Sequence, residues 1–389
     1  MGLSSSTAAF VRFYVPEPTT EDFWGYVDER LRAGGFTECE GDQESSGGFA
    51  VWEDFFEAVF DHGSYHKADY LAFQYRMDQR KVPPLIRKLY FRQAVEKYRA
   101  EHEGKWPNRH EKLDIQETTD KWLLSRAFPQ PAAVEVVWSP GAHLLLLGTT
   151  STKMIDAFLE HFERHFQVYP VPLYHVNWAL NALPLDDRRK DTLSSMVNVQ
   201  SVHAQEEGRF LGHELLTWLW FFAESPNPTI SYADGSAAEV ALGERMVLTL
   251  PSEGKEKVVC TTRAYALHEA RTALRQGKMV DEMQVAIKAG DNDYQLTLDS
   301  SLFAFKGLKT PKQLAGADEE DPDGRFLEKM FFLEEVTAIL NALYKEFLNL
   351  RLSSEWESET LRQLREWIAS GPDDGEGSSE GSESEEAPF

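Results

Sequence analysis

Between Arg76 and Arg126 the chain carries thirteen Lys and Arg residues against eight Asp and Glu, although its formal charge as a whole is −24. That local balance of about +5 leaves about −29 for everything else. A basic island in so acidic a chain restricts the fold, because its positive residues have to be gathered on one surface. The island also has its own punctuation. Pro83-Pro84, tolerated only in a first helical turn, opens a helix over 85–101, and Gly104-Lys105-Trp106-Pro107-Asn108 makes a turn. A second helix over 110–125 then runs out before Pro129. Two helices joined by a short turn form an αα-hairpin, which can project from a body as a separate lobe. In its first helix Ile86, Tyr90, Val95 and Tyr98 supply apolar surface, and Arg87, Lys88, Lys97 and Arg99 are left for a polar face. Such a face suits an anionic partner, nucleic acid first. The plainer reading is a solvated helix face whose charges serve solubility. Tyr90, Phe91, Tyr98, Trp106 and Trp122 could stack on bases, but helical spacing assigns most of them to a core.

The remaining composition sets bounds. At 389 residues the chain has room for two or three domains, and its 42 % apolar content is that of a folded protein. The longest apolar runs, Leu144 to Leu147 and Leu215 to Ala223, are too short to span a membrane, and the start MGLSSSTAAF does not read as a secretory signal. Cys39 and Cys260 are far apart and lack metal-ligand spacing, which suits a reducing cytoplasm and supports neither a disulfide nor a zinc site. Overall acidity argues against coating DNA with the whole surface. It leaves open a protein that encloses DNA in a basic lining and keeps an acidic exterior.

Along the chain, alternation predicts strands over 9–17 and 70–76, and a hairpin of 133–139 with 143–150 turning at Pro140-Gly141. Thr20 is expected to cap a helix over 21–33, after which GDQESSGG reads as a polar loop. A helix over 152–166 buries Ile155, Phe158, Leu159 and Phe162, and a proline-interrupted strand follows at 168–174. Residues 208–222 form a tryptophan-rich core helix. Strands over 240–250 and 256–262, a helix over 265–275, and a hairpin of 278–289 with 294–298 come next. A strand over 303–308, a long helix over 325–350 and a weaker one over 355–368 precede an acidic, low-complexity end from 371 to 389, expected to be disordered. The fold class is α+β, mixed sheets with helices.

No phosphate-binding glycine loop, HExxH or GxSxG is present. His203, His213 and Glu214 lack the second histidine that a helical metal site needs, and core or surface roles explain them better. Asp234 with Glu253-Gly254-Lys255 loosely matches the Asp…Glu-x-Lys arrangement of metal-dependent nucleases, but falls in an expected turn rather than on a strand. Three classes therefore stand: a non-enzymatic DNA-binding protein, a nuclease using Asp234 and Glu253, and an acidic interaction protein without DNA binding. No cofactor or metal is expected.

The succession KVPPLIRKLYFRQAVEKYRAE, WLLSRAFPQP, VEVVWSPGAHLLLLGTTSTKMIDAFLEHFERHF and VYPVPL resembles the bacterial recombination-associated protein family RdgC. So does LRQGKMVDEMQVAIKAGDNDYQLTLDSSLFAFKGLK with the final long helix. The resemblance covers about 70–173 and 274–350 and contains no catalytic signature. It implies a central α/β region at 1–75 and 129–175, a projecting helical tip lobe at 76–128 and a base region with an extra segment at 176–350. A C-terminal helix at 351–370 and the acidic tail complete the chain. It further implies a homodimer closed into a ring, tips meeting tips, that binds DNA, duplex above all and single strands as well, without sequence preference. Such a protein restrains the recombinase RecA and belongs in the cytoplasm, on the nucleoid and away from membranes. Carried over, Phe128 sits in the tip-to-tip contact with Arg126 beside it facing DNA. Arg80, Lys81, Arg87, Lys88, Arg92, Lys97 and Arg99 become candidates for the lining. Arg263 stands in a loop, Thr261-Thr262-Arg263, that is less basic than the family's DNA-contacting loop.

Overall fold

The computed structural model describes all residues except 1, 19, 174, 184, 199–203, 234, 251–256, 262, 302, 313–320 and 371–389; at 62, 181–182, 194–198, 204–210 and 263–267 it describes the backbone alone. The chain opens with β1 (Thr7–Tyr14), α1 (Phe23–Ala33), β2 (Ser45–Ala50), α2 (His62–Tyr65), β3 (His66–Lys67) and β4 (Tyr70–Arg80). The helices α3 (Pro84–Glu101) and α4 (Arg109–Leu124) follow, then β5 (Pro129–Ser139), β6 (Leu144–Leu147), α5 (Thr152–Phe166), β7 (Val171–Pro172) and α6 (His175–Ala182). Next come α7 (Asp187–Asn198), α8 (Ala204–Ala223), β8 (Thr229–Ala233), β9 (Ser236–Thr249), β10 (Lys257–Cys260) and α9 (Arg263–Arg275). The chain closes with β11 (Met279–Ala289), β12 (Asn292–Asp299), β13 (Phe305–Lys309), α10 (Pro322–Arg351) and α11 (Leu361–Ala369). Two compact units result: Met1–Asn181 with Leu302–Phe331, and Ala182–Ser301 with Phe332–Phe389.

The first unit is built on an antiparallel sheet in the order β13-β1-β6-β5-β4-β2, with β3 on β4 and β7 on β1. Its apolar face is closed by α5, whose Phe158, Phe162 and Phe166 recur at helical spacing; Phe162 and Phe166 meet Trp138 and Phe49, and Phe158 meets Tyr75. Val27 and Leu31 of α1 join the same core. Asp22 rather than Thr20 caps α1, its carboxylate accepting from the Gly25 N–H at 3.0 Å. The reading of GDQESSGG as loop is corrected in part: Ser45 to Gly48 belong to β2, paired with β4 from Ser45↔Gln79 to Ala50↔Gln74. Two glycines and two serines hide that strand from propensity. The glycine at 48 is needed, because a Cβ there would stand 2.4 Å from the Phe36 backbone.

β4 runs four residues past the expected end and pairs with β5 from Leu71↔Trp138 to Arg80↔Pro129. On its other side β5 meets β6 only over Val136 to Ser139. Pro129 and Pro131 therefore lie where, among the described residues, no second strand needs their missing N–H.

In the second unit the antiparallel order is β10-β9-β11-β12, with β8 on β9. α8 buries Trp218 and Trp220, as its apolar run predicts. His213 is buried with Nδ1 2.6 Å from the Val280 carbonyl, and Glu214 pairs with Arg351 at 2.7 Å; both act in packing. His203 lies outside the described residues. No described helix is long and apolar enough to cross a membrane.

Candidate nucleic-acid interface

The helices α3 and α4 are inserted between β4 and β5, so they rise from the end of a β-ribbon whose last pair is Arg80↔Pro129. They carry a thin core of their own. Val95 of α3 and Thr119 and Leu123 of α4 are buried, and the Tyr90 and Trp122 rings lie 5.2 Å apart. Arg87 Nε meets Asp120 Oδ1 across the pair at 2.9 Å, and the Tyr98 hydroxyl donates to Glu111. Glu111 also completes a capping box with Asn108 at the start of α4.

The basic residues separate by what they touch. Arg76 is buried, bidentate to Asp78 at 2.7 and 2.8 Å, with its guanidinium 4.0 Å from the Phe36 ring centroid. Arg80 donates to the carbonyls of Cys39 and Gly41, pinning the loop ahead of β2. Arg87 is tied to Asp120, and Arg99 lies over Trp106 at 4.0 Å. Arg92 and Lys97 make exposed i,i+4 pairs with Glu96 and Glu101 at 3.2 and 3.9 Å. Pairs of that kind are worth well under about 1 kcal/mol and yield readily to a phosphate. Lys81 and Lys88 are exposed and have no ion-pair partner among the described residues. Arg126 is exposed just beyond α4, its guanidinium 4.2 Å from the Trp122 centroid. Arg263 begins α9, and its side chain lies outside the described residues. Lys105, Arg109 and Lys112, counted in the island but not singled out from sequence, are exposed at the far turn without an ion-pair partner among the described residues. Their position in the turn and first helical turn of α4 was the available signal.

Seven of the fourteen exposed large hydrophobic residues described fall on this lobe: Leu85, Ile86, Leu89, Trp106, Leu113, Trp122 and Phe128. Phe128 is 91 % exposed and Leu85 80 %. Single exposed apolar residues are ordinary, but a concentration of them on one appended element marks a contact surface. Among the described residues no three His, Cys, Asp or Glu side chains are grouped to hold a metal ion. Asp234, Glu253 and Lys255 of the nuclease reading lie outside the described residues.

A lobe with apolar and cationic side chains turned to solvent, set on a β-ribbon, defines an α+β protein with a built-in contact module. A family model described as "Putative exonuclease, RdgC" matches residues 13–183, so that this part of the chain is similar to the RdgC family. The matched span takes in the β4–β5 ribbon and the whole lobe; the second stretch of resemblance, 274–350, and residues 371–389 lie beyond it. No curated protein matches the chain.

Proposed function

We propose that the protein binds DNA without sequence preference, as a homodimer closed around the duplex, and that it serves recombination by restraining RecA at the nucleoid. The observation that carries this reading is the joint exposure, on one lobe, of Phe128 and of cations without a carboxylate partner. The two kinds of surface ask for two kinds of partner. An apolar ring in water gains by meeting its copy on a second subunit, while Arg126, Lys81, Lys88, Arg92 and Lys97 gain by meeting phosphates. Arg80, Arg87 and Arg99, engaged within the first unit, add to the positive field more than to direct contact. Arg263, in the segment where the resemblance implies a further DNA-contacting loop, adds to the same binding. The match of the RdgC family model across the lobe supports the same reading. The protein acts here by enclosure, without a catalytic step; the family description speaks of an exonuclease, and that activity is the alternative to be tested.

The experiment is duplex binding across a salt series for the wild-type chain, Arg126→Ala and Phe128→Ala, with light scattering for mass and labelled DNA ends with magnesium present. We expect log affinity to fall linearly with log salt, with a slope of roughly 0.9 per phosphate contact. Arg126→Ala lowers that slope by about 1, and Phe128→Ala shifts dimer towards monomer. Absence of salt-dependent binding overturns the proposal in favour of an interaction protein. Magnesium-dependent shortening of DNA that Glu253→Gln abolishes favours the nuclease.

A further inference from the structure

The five aromatic residues of the island are not alike in the folded lobe. Tyr90 and Trp122 pack on one another, Tyr98 stacks on His102 at 3.9 Å, and Phe91 is half-buried. Trp106 differs: it is 67 % exposed, and among the described residues its one ring contact is the Arg99 guanidinium 4.0 Å from its centroid. The turn that holds it is fixed. Glu103 and Gly104 take φ of 51° and 79°, the Gly104 N–H donates to the Arg99 carbonyl at 2.8 Å, and the Lys105 N–H donates to that of His102 at 3.0 Å. Pro107 is buried and Asn108 caps α4. An indole so held loses little freedom when a second ring stacks on it.

Its electrostatic surroundings select the ring. Lys105, Arg109 and Lys112 are exposed nearby in sequence without an ion-pair partner among the described residues. Two of the neighbouring carboxylates are engaged: Glu111 accepts from the Asn108 N–H and the Tyr98 hydroxyl, and Glu101 faces Lys97. Glu103 is the remaining exposed acid of the turn. A protein partner would meet an apolar indole with apolar side chains; an unpaired base meets it with a π face and brings phosphates to the lysines and arginine.

We propose that Trp106 is a stacking platform for an unpaired base, with Lys105 and Arg109 holding the flanking phosphates, so that the far end of the lobe engages single-stranded DNA. The proposal rests on the DNA-binding reading above and assigns to single strands, a form the family resemblance already implies, residues of their own. A duplex hides the faces of its bases, so this contact discriminates between strands and duplex, whereas the phosphate contacts do not.

The test compares a single strand carrying 2-aminopurine with the matched duplex, using wild-type protein, Trp106→Ala, Trp106→Phe and Lys105→Ala/Arg109→Ala. We expect Trp106→Ala to weaken single-strand binding about five-fold or more and to abolish the fluorescence change of the stacked base. Trp106→Phe should keep most of both, and duplex affinity should stay within about two-fold. Lys105→Ala/Arg109→Ala should reduce the single-strand salt slope by roughly 0.7 per residue. Wild-type binding of duplex together with unchanged single-strand binding in Trp106→Ala sinks this inference alone. Equal loss on both substrates overturns it too, since that is the signature of a damaged lobe. If the wild-type protein binds neither form, the DNA-binding reading falls and takes this one with it.

Discussion

His161 lies on the core side of α5, its Nε2 2.8 Å from the Gly34 carbonyl and its ring against Phe49 and Tyr75. Burial pushes its pKa down to about 4; the Gly34 carbonyl and Glu160 oppose that shift, while His165 and Arg164 add to it. The folded value thus lies below the ordinary histidine value of about 6.5, so the unfolded chain takes up the proton first. Stability is full above about pH 6.5 and declines as pH falls towards about 4, by at most about 3 kcal/mol for this residue. Urea unfolding at pH 7 and pH 4.5 should show the decline, and His161→Gln should flatten it while lowering stability at pH 7. An unchanged pH slope in the variant would remove His161 as the cause. His165, also lowered by burial, leaves a residual slope of the same sign. At this scale the sequence informs unevenly. Arg126 and Phe128 come out exposed, whereas the Phe36 ring against Arg76 and the carbonyl contacts of Arg80 depend on partners brought in by the loop ahead of β2. Periodicity along one segment does not report such partners.

The lobe is the element on which function is placed, and the ribbon beneath it suggests that it can be removed. Arg80 and Pro129 face each other in the last β4–β5 pair, so a two-residue Asn-Gly turn can close the ladder once 81–128 are excised. The core of Phe49, Phe73, Trp138, Phe158, Phe162 and Phe166 draws nothing from the lobe. We therefore expect the excised chain to unfold cooperatively within a few degrees of the parent, and to lose both duplex binding and self-association. Retained binding at low salt would move the DNA contact to the second unit. Both lobe helices were legible because their ends carry strong local signals: Pro83-Pro84 at one start, Asn108 with Glu111 at the other, and Gly104 between. α7 gave no such signal, and β8 alternates, with Ile230 and Tyr232 inward and Thr229, Ser231 and Ala233 outward, but is only five residues long. β2 was lost for a third reason, since Gly48 is there for close approach of the Phe36 backbone and Gly47 for the Tyr75 side chain, not for propensity.

Across the whole molecule the electrostatic argument is one of contrast. A surplus of about +5 between Arg76 and Arg126 has to compete for phosphates against about −29 elsewhere, and seven of those carboxylates lie in residues 371–389, outside the described residues. Charge of that sign lowers the local concentration of DNA around every other surface, and it does so only within a screening length of about 10 Å at 0.1 M salt. Two consequences separate repulsion from any specific role of the tail. A chain ending at Ser370 should bind duplex several-fold more tightly than the full chain at 20 mM salt, and the two should converge at 200 mM. Replacing the tail by an uncharged Gly-Ser segment of equal length should reproduce the truncation. If the neutral segment instead restores the weaker binding, length and not charge obstructs the DNA. If all three chains bind alike at low salt, the acidic end takes no part in restricting where DNA sits, and the restriction must come from the folded surface alone. The convergence at high salt is the decisive comparison, because excluded volume survives screening and charge repulsion does not.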